Sequence, residues 1–285
     1  MRAIDLHTHS NCSDGSYSVK ELIDYAHDKG LSAIALTDHD TVAGLDEGIA
    51  YTAGKYPDME FVPGIEYSTV EEGKDVHIVG LYINHRDEAY QKKLQEFKDS
   101  RINRNIKMCK KLTEEAGIPI TYDELVEKNP GAVITRAHYA KLIMEKGYVK
   151  SRQEVFDRLI GDNCPYFVPR EKILPEQAIE HILQAGGVPI LAHPILYRMS
   201  DERLENLVKR LKAAGLMGLE AIYSTYEPRE ERDMKALAGK YDLLVSGGSD
   251  FHGANKKDID LAVGRGKLFV PEELLPPIKM AAGKK

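Results

Sequence analysis

The chain has 285 residues, of which 29% are charged and 42% hydrophobic, as expected of one large globular domain or one domain carrying an insertion. A formal net charge of -6 argues against a broadly basic surface for long duplex nucleic acid, although bound divalent ions could still attract a phosphorylated substrate. No apolar run approaches the roughly 18 residues that span a membrane, and the first residues do not resemble an export signal. Three cysteines without a C-x-x-C pair predict neither a disulfide framework nor a thiolate zinc site, so we expect a cytoplasmic protein.

The N-terminal third alternates short apolar runs with amphipathic stretches, a pattern that predicts strands separated by helices. A capping box at Ser18 and Glu21 indicates a helix over residues 19–29, which Gly30 is expected to end. A second helix is predicted over residues 42–54. The four predicted strands of this part span residues 3–6, 33–37, 60–66 and 76–82.

The middle of the chain is different, because it carries long charged helical patterns and no convincing parallel strand between residues 101 and 168. A long helix is predicted over residues 88–116. Further helix starts are indicated at Thr121, at Thr135 and at Ser151, and the helix that follows Thr135 should cover residues 136–146. We therefore predict three segments: a first barrel part over 1–100, an all-helical insertion over 101–168 and a second barrel part over 169–285.

Strand–helix alternation resumes after the insertion. Three more strands are predicted over residues 188–193, 219–223 and 243–246, with a helix over 202–214 between the first two. Such alternation indicates a parallel sheet, and seven units favour a distorted β/α barrel. The pattern alone leaves an open doubly wound sheet as an alternative.

Residue types that bind metals cluster at the ends of the predicted strands. His7 and His9 are two residues apart, so a strand would point both imidazoles to one face. Five of the seven strands have a histidine or carboxylate near the carboxyl end, where barrel enzymes place their active sites, whereas His77 lies near the start of its strand. The nine candidate ligands are His7, His9, Asp14, His39, Glu66, His77, His193, Asp250 and His252.

Nine ligands are too many for one ion but suit two or three ions if one carboxylate bridges. Mixed imidazole and carboxylate sites favour manganese, zinc or iron, and the absence of thiolates favours a catalytic centre over a closed structural one. The other histidines, except His138, are interpreted as structural: His27, His85 and His181. Arg136 and His138 at the start of a predicted helix fit either an anion site or a solvated helix start.

Five motifs occur in a defined order along the chain. They are Asp-Leu-His-Thr-His-Ser from Asp5 with the Ser-Asp-Gly at Ser13, Leu-Thr-Asp-His-Asp from Leu36, Pro-Gly-Ile-Glu from Pro63, Ala-His-Pro from Ala192, and Gly-Ser-Asp-Phe-His from Gly248. Together they resemble the PHP (polymerase and histidinol phosphatase) family of metal-dependent phosphoesterases. The resemblance implies a distorted seven-stranded β/α barrel with three metal ions. The implied ligand sets are His7, His9, Glu66 and Asp250; Glu66, His77 and His193; and Asp14, His39 and His252.

The helical insertion resembles that of stand-alone PHP proteins that act on nucleotides, including 3',5'-bisphosphate nucleotide phosphatases and 5'-to-3' exoribonucleases of short RNA. This resemblance implies that the insertion covers the metals and that Arg136 and His138 bind substrate phosphate, with Arg170 and Lys172 as further candidates. The set of nine candidate ligands leads to the hypothesis that a hydroxide bridging two ions attacks phosphorus in line, while Arg136 offsets the developing charge. The expected partner is a small phosphorylated substrate, either a nucleotide or short RNA.

Three alternatives stay open at the level of sequence. A phosphatase of the histidinol phosphate type shares the barrel, and a non-catalytic module would hold metal or nucleotide without turnover. An amidohydrolase-type deaminase or lactonase also begins with His-x-His, but its usual bridge is a modified lysine, and no predicted strand contains a lysine.

Overall fold

Seven strands form one nearly closed sheet in the computed structural model, which describes residues 2–161, 164–169 and 173–284. The strands follow one another around the sheet in chain order: β1 (Ile4–Asp5), β2 (Ala33–Leu36), β3 (Glu60–Glu71), β4 (Lys74–Leu81), β5 (Val188–Leu191), β6 (Gly218–Tyr223) and β7 (Leu244–Gly248). The Leu6 amide donates to the Gly247 carbonyl at 3.2 Å, which links the end of β1 to β7. The predicted seven-stranded β/α barrel is confirmed.

The fourth strand departs from the predicted parallel sheet. β4 pairs antiparallel with both β3 and β5, whereas the other neighbouring strands pair in parallel, so the expectation of a parallel sheet is wrong at β4. The reason is the short connection, in which Glu72 and Gly73 both have positive φ (47° and 79°). This is the backbone of a tight hairpin turn, which can join only antiparallel strands. The start of β4, which carries His77, therefore lies at the edge where the neighbouring strands end.

Helices cover the outside of the barrel and form the middle of the chain. The described residues contain ten α-helices: α1 (Val19–Asp28), α2 (Leu45–Lys55), α3 (Glu88–Ala116), α4 (Tyr122–Lys128), α5 (Arg136–Glu145), α6 (Arg152–Val155), α7 (Pro175–Gln184), α8 (Asp201–Ala213), α9 (Pro228–Lys240) and α10 (Leu275–Ala281). Ser18 and Glu21 form the predicted capping box of α1, and Thr121 and Ser151 cap α4 and α6 as predicted. Among the described residues, no helix has the length and apolar composition needed to cross a membrane.

The hydrophobic core has three parts. Side chains inside the barrel, such as Ile4 and Ile190, pack with Ile278 of α10. A larger cluster joins the outer face of the sheet to α1, α2, α7, α8 and α9. Residues from α3 to α6, among them Met108 and Tyr139, form a third cluster. The middle helices therefore have a core of their own.

The long helix α3 connects the barrel to the middle helices without a break. Its first half buries Tyr90, Leu94 and Phe97 in the cluster around the barrel, and its second half buries Met108 and Leu112 in the core of the middle helices. The predicted boundary at residue 101 falls inside this continuous helix. The limits of the three segments stay a prediction.

Candidate active site

The nine predicted ligands come together at the carboxyl edge of the barrel. They lie on the strands or in the segments that follow them: His7, His9 and Asp14 after β1, His39 after β2, Glu66 on β3, His77 on β4, His193 after β5, and Asp250 and His252 after β7. All are buried except His39 and His77, which are half-buried. Parallel strands bring their ends to one edge, and the reversed β4 brings its start to the same place.

Glu66 is the centre of this cluster. Its carboxylate oxygens lie 2.9–3.2 Å from ring nitrogens of five histidines: His7, His9, His39, His77 and His193. Oε1 faces His77 and His193, and Oε2 faces the other three. A carboxylate whose two oxygens face different sets of imidazoles is suited to bridge two ions.

Asp14 and Asp250 add two further carboxylates. Asp14 Oδ1 lies 3.2 Å from His252 Nε2, and Asp250 Oδ1 lies 3.3 Å from His9 Nε2. Potential ligand atoms lie within 4.8 Å of one another in four overlapping groups: His9, Asp14, His39 and His252; His7, Glu66 and His193; His7, His9 and Asp250; and His39, Glu66 and His77. These groups differ in part from the sets implied by the family resemblance, and the division of ligands among ions stays a prediction.

Several buried ring nitrogens of the cluster, some of them within 3.2 Å of a carboxylate oxygen, have no hydrogen bond of suitable geometry among the described residues. They are His7 Nε2, His9 Nδ1, His9 Nε2 and His193 Nδ1. Buried polar groups are nearly always hydrogen-bonded, because leaving one unsatisfied costs about 1–3 kcal/mol. Imidazole nitrogens of this kind, grouped with carboxylates and without thiolates, suit zinc, manganese or iron. The cluster therefore fits divalent transition metals.

The carboxylates and imidazoles of the cluster shift one another's pKa values. Burial alone would raise the pKa of Glu66, but the adjacent His7 helps to hold that pKa well below its usual range. Burial would likewise raise the pKa of Asp250, but the adjacent Lys256 helps to hold it well below its usual range. Burial lowers the pKa of His9, but the carboxylates of Asp250 and Glu66 outweigh it and raise that pKa to about 9. Because a histidine must lose its ligand-side proton to bind a metal, ion binding would displace protons from the cluster.

One buried carboxylate outside the predicted set orients two of the histidines. Glu220 on β6 places Oε1 3.0 Å from His7 Nδ1, and its Oε2 accepts the His193 backbone N–H at 2.7 Å. A carboxylate beside Nδ1 keeps the proton there and leaves Nε2 of His7 available as a ligand atom. Glu220 was not predicted because it lies inside a strand. The available signal was a single acid in the apolar run from Leu219 to Tyr223.

The backbone beside the ligands has unusual conformations. Asp40, His193 and Asp250 have φ values of 50°, 29° and 55°, in the left-handed region that favours glycine. Such residues cost about 1–3 kcal/mol each and persist where the surrounding contacts fix them. A side chain at Gly248 would place its Cβ 2.4 Å from Cβ of His7, so only glycine permits this approach of β7 to β1. Surrounding contacts therefore fix the backbone of the segments that carry the candidate ligands.

A cavity of about 360 Å³, called the substrate cavity below, adjoins the cluster. Four of its lining residues belong to the nine: Asp14, His39, His77 and His252. Five others are basic: Arg101, Arg104, Arg136, Arg152 and Lys256. Asp75 is the one lining carboxylate among the described residues that is not in the cluster. This excess of positive charge beside a metal-type cluster suits a phosphorylated substrate.

Two of these arginines are held by acidic partners. Arg101 donates to Asp40 Oδ2 at 2.5 Å and to Ser68 Oγ at 2.6 Å, and Arg136 donates to Asp75 Oδ2 at 2.5 Å. These contacts fix both guanidinium groups at the wall of the substrate cavity.

Arg101 and Arg104 were not predicted as site residues. Both lie on the buried face of α3, where Arg101 follows Phe97 by four residues and Arg104 precedes Met108 by four. Arginines that replace apolar residues in a buried helical stripe were the available signal, because a buried charge needs a partner.

The three substrate-binding residues predicted from the resemblance have different positions. Arg136 lines the substrate cavity. His138 is buried, its Nδ1 accepts the Thr135 N–H at 3.0 Å, and it lines a neighbouring groove instead. Arg170, like the further candidate Lys172, lies outside the described residues. The phosphate-binding roles of these residues stay predictions.

The start of α5 contacts the cluster directly. The Thr135 hydroxyl donates to Asp14 Oδ2 at 2.9 Å, and the Val133 N–H donates to the Cys12 carbonyl at 3.0 Å. The middle helices are thus hydrogen-bonded to the loop that carries Asp14, one of the candidate ligands.

The three histidines interpreted as structural are not part of the cluster. His27 stacks on Tyr56, and His85 Nε2 lies 2.8 Å from Asp46 Oδ1. His181 is buried, its Nε2 donates to a backbone carbonyl, and burial lowers its pKa to about 4. Each has a local partner that accounts for its position.

The barrel fold and the residues at the carboxyl ends of its strands indicate a class of enzyme. β/α barrels carry their active sites at the carboxyl ends of the strands. A site of imidazoles and carboxylates without thiolates is typical of a catalytic centre for divalent metals. Basic side chains around such a centre point to phosphate ester chemistry.

Comparison with known proteins agrees with this class. Residues 5–161 match the family model of the PHP domain. A 5'-3' exoribonuclease from Haemophilus influenzae is 40% identical over 87% of this chain and 89% of its own length. A 3',5'-nucleoside bisphosphate phosphatase from Chromobacterium violaceum is 34% identical over 98% of this chain and 94% of its own. A solved structure from C. violaceum, described as an amidohydrolase with bound sulfate and no metal, has a TM-score of 0.85 at 30% identity, covering 98% and 96% of the two chains. The chain belongs to the PHP family and is a metal-dependent phosphoesterase.

Proposed function

We propose that the protein hydrolyses the 3'-phosphate ester of a nucleoside that also carries a 5'-phosphate. Two substrates share this chemistry, a 3',5'-nucleoside bisphosphate and the 5'-terminal nucleotide of a short RNA. In both, the 3'-oxygen is the leaving group, so one site would serve both reactions. The relatives named 3',5'-nucleoside bisphosphate phosphatase and 5'-3' exoribonuclease support the proposal.

The substrate cavity is the observation that carries this proposal. It combines four residues of the metal-type cluster with five basic side chains in a volume of about 360 Å³. Ions bound at the cluster would offset the negative charge of the phosphate that is cleaved. The additional cations suit a second phosphate on the same molecule, because charge-assisted contacts to phosphate are among the strongest hydrogen bonds.

The cluster would hold divalent manganese, zinc or iron, three ions by the family resemblance, with Glu66 shared between ligand sets. When bound, the ions would neutralise the phosphoryl oxygens and lower the pKa of the attacking water. Glu220 would keep the His7 proton on Nδ1, away from the ligand atom. Thr135 would orient Asp14 through its hydroxyl.

The remaining residues of the cavity would bind and orient the substrate. Arg101 and Arg136 offer guanidinium groups that Asp40 and Asp75 hold in place, so little reorganisation is needed as charge develops on the phosphate. Phe156 gives the cavity an aromatic surface on which a nucleobase can stack.

The structure bears differently on each alternative. Histidinol phosphate carries an amine cation, but Asp75, the one carboxylate outside the cluster among the described lining residues of the substrate cavity, is already paired with Arg136. For an amidohydrolase bridge, the one lysine on a described barrel strand is Lys74, and its ammonium donates to the Tyr197 carbonyl at 2.9 Å instead of reaching the cluster. A module without turnover conflicts with membership of a phosphoesterase family.

Turnover of matched phosphate esters tests the proposal. We expect kcat/KM for 3',5'-bisphosphoadenosine to exceed that for adenosine 3'-monophosphate by at least about tenfold, because only the bisphosphate fills the second phosphate position. Phosphate release is measured with manganese-loaded enzyme. Adenosine 5'-monophosphate, which lacks the 3'-ester, is the negative control, and histidinol phosphate tests the rival activity. Turnover of histidinol phosphate without the bisphosphate would overturn the nucleotide assignment.

A further inference from the structure

A second cavity of about 290 Å³, called the side groove below, adjoins the substrate cavity. Asp14, Ala137, Arg152 and Asn255 line both. Arg152 donates to Asn255 Oδ1 at 3.1 Å, and Asn255 Nδ2 donates to the Asp14 carbonyl at 2.8 Å. The wall shared by the two cavities is therefore a hydrogen-bonded ridge that includes one residue of the metal-type cluster.

The side groove is positively charged although the whole protein is acidic. Lys128, Lys141 and Arg152 line it, and Asp14 is the one carboxylate among its described lining residues. A smaller cavity of about 110 Å³ adjoins the same two lysines, and there Lys128 Nζ lies 3.3 Å from Glu145 Oε2. The cations thus extend from the edge of the cluster along the surface of the middle helices.

Phosphodiester hydrolysis requires space beside the scissile phosphate. In-line attack places the nucleophile and the leaving 3'-oxygen at opposite ends of the phosphorus, with three oxygens around it. In a nucleoside bisphosphate these three oxygens are terminal. In RNA one of them is the 5'-oxygen of the next nucleotide, so that nucleotide must extend sideways from the bond that breaks.

We propose that the side groove binds the nucleotide that follows the scissile phosphate of a short RNA, with Lys128 and Lys141 contacting its phosphates. This inference rests on the proposed function and separates its two substrates, since a nucleoside bisphosphate has no group to place there. The exposed side chain of Asn11, which lines the groove, provides an amide that suits the ribose hydroxyls of RNA. Lysines that contact only the sugar–phosphate backbone bind RNA regardless of its base sequence.

The double variant Lys128→Glu/Lys141→Glu tests the proposal. Both lysines are exposed, so the changes leave the hydrophobic cores intact. We expect kcat/KM for a 5'-phosphorylated RNA tetramer to fall at least about tenfold, while kcat/KM for 3',5'-bisphosphoadenosine stays within about twofold of wild type. The same variant should bind a fluorescent tetramer with a phosphorothioate scissile linkage more weakly, measured by anisotropy.

The matched control is Lys209→Glu/Lys235→Glu, which makes the same change of charge on α8 and α9. Neither residue lines the substrate cavity or the side groove, and Lys235, like Lys128, is paired with a glutamate. This control should leave both substrates unaffected. Unchanged tetramer hydrolysis and binding in Lys128→Glu/Lys141→Glu, or an equal loss for both substrates, would overturn the side groove alone. Turnover of neither substrate by the wild type would overturn the proposed function and this inference with it.

Discussion

Replacing Glu66 with glutamine is expected to lower kcat/KM for 3',5'-bisphosphoadenosine by about three orders of magnitude. Its carboxylate lies within 3.2 Å of five imidazoles, more than any other ligand candidate contacts, and it takes part in two of the four potential ligand groups. An amide has one acceptor oxygen and a donor in place of the other, so it cannot bridge two cations. We therefore expect the variant to bind fewer ions as well as to lose activity.

Glu60→Gln is the matched control for this variant. Glu60 begins the same strand, but its carboxylate accepts from the Tyr82 hydroxyl at 2.8 Å and from Lys279 at 3.0 Å, away from the cluster. Glu60→Gln should keep the activity and metal content of the wild type. If Glu66→Gln also kept both, Glu66 would not be a ligand.

Replacing Glu220 with glutamine should weaken manganese binding by about 10–100-fold, the usual effect of losing the partner of a ligand histidine. Glu220 faces two donors, His7 Nδ1 and the His193 N–H. A glutamine can accept from only one of them with its oxygen, and its NH₂ group then faces the other. If that NH₂ faces His7 Nδ1, the His7 proton moves to Nε2 and blocks the ligand atom.

Manganese affinity, measured by competition with a chelator, distinguishes this positioning role from a direct part in the reaction. We expect Glu220→Gln to regain most of its kcat at saturating manganese, because the residue acts through His7 and does not touch the substrate. The unfolding free energy of the metal-free variant is measured alongside, and Glu60→Gln again serves as the control. An unchanged affinity, or a loss of kcat that manganese does not restore, would contradict the positioning role.

The motifs at the strand ends could be identified because the candidate ligands lie close together in the sequence. His7 and His9 stand two apart after a strand, and Asp250 and His252 repeat the spacing after the last strand. The fold brings these ends together by the geometry of parallel strands. His77 did not fit that rule until the turn at Glu72 and Gly73 showed that its strand is reversed.

Contacts between distant elements could not be read from the sequence. Glu220 contacts His7, which lies 213 residues earlier in the chain, and Arg101 contacts Asp40, which lies 61 residues earlier. Neither contact follows from local spacing or helix period. The resemblance pointed to the candidate ligands and to Arg136, but not to Glu220 or to the other four basic residues that line the substrate cavity.

The position of Arg136 and His138 illustrates the same limit. Both stand at the start of α5, where sequence favoured either an anion site or a solvated helix start. The structure places Arg136 at the substrate cavity and uses His138 Nδ1 to cap the helix. Side chains two residues apart on a helix point in different directions, so a short motif cannot be assigned one role as a unit.

The most direct test of the central claim is a manganese titration of the chelated wild-type enzyme. The ions bound per chain and the phosphate released from 3',5'-bisphosphoadenosine are measured in the same samples. We expect no phosphate release without ions, and activity that rises as about three ions bind each chain. Full activity after removal of the ions, or no release of phosphate once they are bound, would contradict it.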